Sequence, residues 1–182
     1  PLYVLLISAL LLKEKTSRNT AIAVLTGILG GFIIFYYDIS SINVTTNFYG
    51  NVMSMFSGFG WALYTISIRA LSKKFDGLTT TLWMFVFTTI IMSPFFSGSK
   101  ILTPFSLSVL FILGFLCTAG SFLLYSLALK HIMATKASVI ILTEGILAGI
   151  LAYIVLGETV TQGTIIGGAL ILVAVLIILK ER

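Results

Sequence analysis

Seven apolar stretches divide the chain, and short polar or charged turns separate them. They cover residues 1–12, 20–37, 51–71, 78–96, 105–129, 137–156 and 164–179. None alternates apolar and polar positions, so none reads as the strand of a membrane barrel. Runs of about 20 apolar residues match the hydrocarbon thickness of a bilayer. Inside lipid each backbone N–H and C=O must bond within its own segment, which makes these runs helices. The pattern predicts an all-α polytopic membrane protein of about seven transmembrane helices. The first stretch is too short to span. No basic segment precedes it, so it reads as part of a longer membrane helix rather than as a signal peptide.

Composition narrows the class. Of 182 residues, 58% are hydrophobic and 9% are charged, and the mean hydropathy is +1.13. A soluble domain carries about 25% charged residues, so neither a soluble globule nor a disordered chain fits. The net charge of +5 reflects flanks of membrane spans rather than a nucleic-acid surface. Ten of the eleven Lys and Arg fall in alternate connections: Lys13, Lys15 and Arg18; Arg69, Lys73 and Lys74; Lys130 and Lys136; Lys180 and Arg182. Lys100 is the exception. That alternation predicts an outside N-terminus, a cytoplasmic C-terminus and, for a prokaryote, a plasma-membrane location.

Two segments resemble each other at an offset of 144 residues. LLLKEKTSRNTAIAVLTGILGG begins at Leu10 and IVLGETVTQGTIIGGALILVAV at Ile154. Glu14 aligns with Glu158, Ser17 with Thr161, and Thr20 with Thr164. Glu14 lies in a basic connection and Glu158 in one without basic residues, so the copies would face opposite sides of the membrane. Such inverted repeats build many secondary transporters. The reading predicts residues 1–37 as the last two helices of one copy and 51–180 as a complete five-helix copy.

Few residues carry candidate chemistry. Glu144 sits inside an apolar helix, where an ionisable group marks a substrate or ion path. A neighbouring helix could equally hold it as a structural acid; proton coupling is the narrower expectation. Trp61 and Tyr64, and Ser121 and Tyr125, each share a helix face. Aromatic walls with few polar tips suit a small-metabolite cavity, and packing is their plain alternative. Gly27/Gly31, Gly145/Gly149 and Gly163/Gly167 fit the GxxxG spacing of closely packed helices, and helix 164–179 offers a homodimer face. Asn43-Val44-Thr45 is a glycosylation triplet on the expected outer side. His131 is the only histidine and Cys117 the only cysteine, so no metal or cofactor site and no enzyme is expected.

GWALYTISIRALSKK (60–74) and LYSLALKHIMATKASVIILTEGILAGILAYIVLGETVTQGTIIGGALIL (124–172) resemble the EamA-type repeat of the drug/metabolite transporter superfamily. The resemblance implies a ten-helix fold of two inverted five-helix repeats, of which this chain holds the fourth to tenth helices. It implies alternating access, export of amino acids or similar metabolites, and a midplane site involving Glu144, Trp61, Tyr64, Tyr125, Ser121 and Ser138. The family's usual Glu-Pro is here Glu144-Gly145. A seven-helix receptor and an inactive transporter fragment are the competing readings.

Overall fold

The computed structural model describes residues 1–14, 16–41, 48–95 and 103–181. The Asn43-Val44-Thr45 triplet, Lys15, Lys100 and Arg182 lie outside the described residues. Among the described residues every regular element is helical. They are α1 (Leu2–Ile7, continued by Ser8–Leu12), α2 (Arg18–Ser41), α3 (Phe48–Leu71), α4 (Gly77–Met92) and α5 (Pro104–His131). Then follow α6 (Ala134–Ile140), α7 (Thr143–Leu151, continued by Ala152–Leu156) and α8 (Gln162–Lys180). Each expected apolar stretch is a helix, with ends moved by a few residues; the sixth is interrupted. Five segments are long and apolar enough to cross a bilayer: Arg18–Tyr37, Gly77–Phe95, Pro104–His131, Ala134–Leu156 and Gln162–Lys180. Leu2–Leu12 is apolar but shorter. The 24-residue α3 is long enough to span but is not among these five segments. The chain is an integral membrane protein.

Contacts divide the chain into two units, Pro1–Ile66 with Met133–Arg182, and Ser67–Ile132. In the second unit α4 packs on the C-terminal half of α5. Gly77 lies under Leu127, and a Cβ there would come within 2.8 Å of the leucine. Phe85 and Phe122 meet edge to face at 5.8 Å. The last carbonyls of α5 have no partner within the helix. Arg69 supplies one, its Nη1 donating to Leu129 (2.6 Å) and Lys130 (3.1 Å), and the Ser72 hydroxyl also donates to Leu129. The first half of α5 buries nothing and presents Phe105, Phe111 and Phe115 outward. Such a face is stable against lipid tails and not against water.

The first unit is organised around α2 and α8, which run antiparallel. Gly30 meets Gly167, and Gly163 lies under Tyr37. Thr20, at the start of α2, bonds Glu181 just beyond α8. Ala23, Val24, Val139, Ala174 and Ile178 form the buried cluster of the crossing. The glycine register differs from the expected GxxxG pairs. Gly30 faces α8 and Gly27, three before it, lies under Leu142 with Ala174 of α8 next, while Gly31 and Gly145 face open space. A Cβ on Gly149 would meet only Thr164, at 3.9 Å. The face of α8 carrying Gly163 and Gly167 is thus used within the chain, leaving Ile165, Ile166, Leu172 and Leu176 exposed. A homodimer face on this helix would have to use that side.

The two resembling segments share their backbone detail. Ser8–Leu12 and Ala152–Leu156 are both π-helical turns. The next residue in each, Lys13 (φ 51°) and Gly157 (φ 68°), is left-handed. In each the following glutamate N–H reaches back six residues, Glu14 to the Ser8 carbonyl and Glu158 to the Ala152 carbonyl. These are helix stops with a left-handed C′ residue, one residue wider than the Schellman motif. A left-handed residue with a Cβ costs about 1–2 kcal/mol. Lys13→Gly is therefore expected to stabilise the protein by about 1 kcal/mol and Gly157→Lys to destabilise it as much. Thermal unfolding in detergent checks both; equal and opposite shifts are the expected result.

Candidate functional site

The sixth apolar stretch breaks at Ile141-Leu142. Leu142, Glu144 and Gly145 N–H groups donate three residues back, to Val139, Ile141 and Leu142, instead of four. The Thr143 hydroxyl also donates to the Ile140 carbonyl. A proline is thus not required for discontinuity here. Tightened i to i−3 bonds and a threonine that competes for a backbone carbonyl suffice. Glu144 follows at once, in the first turn of α7. A negative charge is favoured there by the helix dipole, and the residue is exposed. It is the one acidic side chain within the Ala134–Leu156 segment.

Trp61 and Tyr64 meet on α3 with ring centroids 5.3 Å apart and planes at 43°. Trp61 is exposed and Tyr64 half-buried. Two residues before Trp61, Phe59 packs edge to face on Tyr3 of α1. Ser138 lies on α6, 1% exposed, with its hydroxyl donating to the Thr135 carbonyl at 2.8 Å. Its side chain is therefore taken up in packing. Glu144, Trp61, Tyr64 and Ser138 belong to the first unit. Ser121 and Tyr125 belong to the second, one turn apart on α5. The Ser121 hydroxyl donates to the carbonyls of Cys117 and Thr118, which ties it to its own helix.

A well-formed concavity lies elsewhere. A groove of about 600 Å³ runs between α7 and α8. Gly145, Gly149, Tyr153, Gly168, Leu172 and Ile34 of α2 line it, with Glu158 and Thr164 as polar residues. None of the expected site residues lies in its wall.

Sequence reasoning also missed a polar cluster that ties α6 to both hairpins. The Glu14 carboxylate accepts from the Ala134 N–H at 3.2 Å, capping α6 from another element. Ser8 and Thr135 share a buried hydroxyl bond of 2.9 Å. Lys136 Nζ lies 3.1 Å from the Glu181 carboxylate, which also accepts from Thr20 (2.6 Å) and Ser17. The Lys-Glu-Lys run around Glu14 signals only a charged loop, and nothing local to Glu181 points to residues over forty positions away. The cluster does gather the 13–20 connection, the start of α6 and the chain's last turn at one end of the unit. Those are three of the basic connections singled out by charge.

The Thr20 hydroxyl holds the Glu181 carboxyl below its ordinary pKa; burial opposes this, and the Lys136 ammonium adds to it. A depressed carboxyl stabilises the fold above its ordinary titration range and stops doing so as pH falls through the lowered value. Glu181→Gln is expected to lower stability at neutral pH by on the order of 1 kcal/mol. Mutant and wild type should converge in acid. Thermal melts across pH check this; a difference that persists unchanged in acid would refute the ionic part.

Comparison with known proteins agrees with this architecture. The sequence matches the EamA-like transporter family over residues 48–180. It is 26% identical over 183 residues to an Archaeoglobus fulgidus protein named as an uncharacterized transporter, covering 100% of this chain and 64% of that protein. It is 26% identical over 170 residues to the uncharacterized transporter YwfM of Bacillus subtilis, covering 92% and 56%. A Clostridium kluyveri uncharacterized transporter is 26% identical over 177 residues, covering 92% and 56%. The chain thus spans between about half and two-thirds of the length of these relatives. No solved structure matches. Membrane-spanning helices, an acid inside one of them and a family match over most of the chain converge, and they displace the receptor reading: this chain belongs to the EamA-like transporter family.

Proposed function

We propose that this chain is part of a secondary transporter that moves small metabolites, amino acids or similar compounds, by alternating access between inverted copies of one fold. The C-terminus then lies in the cytoplasm of a prokaryotic cell, and export is the direction. The observation that carries the reading is Glu144. It is exposed within an apolar segment and follows a break in its helix. Transporters place substrate and ion contacts at such interrupted helices. A carboxylate in that position selects for an ammonium group, so an amine-bearing metabolite fits better than an anion. Trp61 and Tyr64 are proposed as apolar substrate contacts and Ser138 as a small residue of α6 in the first unit; Ser121 and Tyr125 are proposed as substrate contacts of the second. Substrate and, as the narrower expectation, protons are the partners.

The inverted-copy reading draws support from the antiparallel packing of α2 on α8. It draws more from the matching helix stops at Lys13 and Gly157. The test is counterflow in liposomes holding the longer natural protein, loaded with unlabelled amino acids and supplied with labelled ones. Saturable exchange of at least one amine-bearing compound is the expected result. No exchange of any of them by protein that remains folded would sink the proposal.

A further inference from the structure

The second unit carries an unbalanced charge. Between Ser67 and Ile132 the sequence holds one acid, Asp76, against Arg69, Lys73, Lys74, Lys100 and Lys130. Arg69, Lys73 and Lys74 lie around the turn between α3 and α4, and Lys130 lies at the end of α5. These two stretches are far apart in sequence, and packing joins them. Arg69 Nη1 donates to the Leu129 and Lys130 carbonyls, and the Ser72 hydroxyl donates to Leu129. The turn is itself bonded: the Ser72 N–H donates to Ile68, and those of Lys74 and Phe75 to Leu71. Lys73, Lys74 and Lys130 are therefore held at one end of the unit. All three are exposed, and among the described residues none has a carboxylate within ion-pair distance. Lys136 of the first unit, by contrast, meets Glu181 at 3.1 Å.

We infer that this end of the second unit binds the headgroup of an anionic phospholipid. Lys73, Lys74 and Lys130 hold its phosphate, while Leu71, Phe75 and Leu78 pack on the start of its acyl chains. Lysine suits this task because its ammonium binds phosphate as a point charge on a flexible stem. Clustered cations at a membrane surface attract anionic lipid in proportion to their number. Two observations favour a lipid over a soluble anion. The first is depth. The spanning segment Gly77–Phe95 starts where the turn ends, and Lys130 lies at the close of Pro104–His131. Cations at the ends of spanning segments stand level with the headgroups. The second is the apolar rim. Leu71, Phe75 and Leu78 are all exposed beside the lysines. A soluble anion would use the cations and leave that rim uncovered, whereas a phospholipid uses both. Asp76 opposes binding. It is exposed, and its side chain makes no capping bond to α4. The inference depends on neither the substrate nor the direction of transport.

The experiment is a thermal-shift titration of the whole protein in neutral detergent. Phosphatidylglycerol is added in one arm, phosphatidylcholine with the same chains in a second, and inorganic phosphate in a third. Phosphatidylglycerol is expected to raise the melting temperature saturably, and the other two to have little effect. Each of Lys73→Gln, Lys74→Gln and Lys130→Gln should raise the half-saturating lipid concentration about fivefold, and the triple variant about a hundredfold. Asp76→Asn should lower it about fivefold, a gain that a damaged fold cannot imitate. Arg18→Gln with Lys180→Gln removes two exposed cations of the first unit and should bind like wild type. Equal stabilisation by phosphatidylcholine would overturn the inference by leaving only an apolar rim. Equal stabilisation by inorganic phosphate would make the ligand a soluble anion. A matching loss in the Arg18/Lys180 variant would reduce the effect to overall charge. An unchanged half-saturation in the folded triple variant, or in Asp76→Asn, would also overturn it.

Discussion

Replacing Gly30 or Gly167 by alanine is expected to destabilise the first unit strongly. At Gly30 a Cβ would lie 2.6 Å from the Gly167 carbonyl oxygen and 2.9 Å from Ile171. At Gly167 it would lie 2.4 Å from the Gly30 carbonyl oxygen and 2.5 Å from Ile34. The two glycines thus clasp each other's backbone. Backbone oxygens cannot rotate out of the way as a side-chain tip can, so the helices must separate. Overpacking of a tight contact costs about 1–3 kcal/mol, and separation would also loosen the cluster of Val24, Val139 and Ala174. Small residues drive helix association in lipid because close backbone approach gains dispersion contacts. Gly31→Ala is the control. Nothing lies within 4 Å of its Cβ, so only helix propensity changes, in the stabilising direction by up to about 1 kcal/mol. Gly163→Ala should be comparably costly, since its Cβ would lie 2.3 Å from the Tyr37 Cβ, an atom that no rotamer change moves. The measurement is unfolding in mixed micelles. Equal stability of Gly30→Ala and Gly31→Ala would refute the crossing described.

This contrast shows where the sequence was legible. Hydropathy placed the helical stretches among the described residues, though not the break in the sixth, because lipid forces a helical solution on any long apolar run. The offset of 144 residues also pointed to two hairpins whose stops prove alike at Lys13 and Gly157. What remained hidden depends on rotation about the helix axis. GxxxG spacing draws the eye to Gly27 and Gly31, yet the contact surface uses Gly27 and Gly30. In an all-apolar helix no polar stripe marks the inner face, so periodicity has nothing to read. Long-range polar partners were hidden for a different reason. Glu14 and Ala134, or Thr20 and Glu181, are neighbours only after the helices pack. The break before Glu144 lacks the proline that would have announced it. It is encoded instead by Thr143 bonding the Ile140 carbonyl, a choice open to any threonine in a helix.

Glu144→Gln in the longer protein is expected to reduce exchange of an amine-bearing substrate about tenfold or more, a loss of about 1.4 kcal/mol or more in transition-state or substrate binding. The substitution keeps the size of the side chain and removes its charge. Glu144 stands exposed in the first turn of α7, where the helix dipole favours an anion, and the tightened turn at Ile141-Leu142 aims that helix end. Glutamine keeps hydrogen bonding and forfeits attraction to an ammonium group. Membrane insertion should be unaffected or slightly easier, because a charge in mid-span costs about 2.5–3.5 kcal/mol on insertion scales. The loss of exchange is therefore not a loss of protein, and surface expression measured in parallel separates the two. Glu144→Asp should recover part of the activity by restoring charge on a shorter stem. Trp61→Ala should weaken apparent affinity more than maximal rate, as an apolar wall binds substrate in every state of the cycle. If Glu144→Gln exchanges substrate at the wild-type rate across pH, the carboxylate neither binds substrate nor carries a proton. The acid would then be a structural feature of the α7 helix end alone.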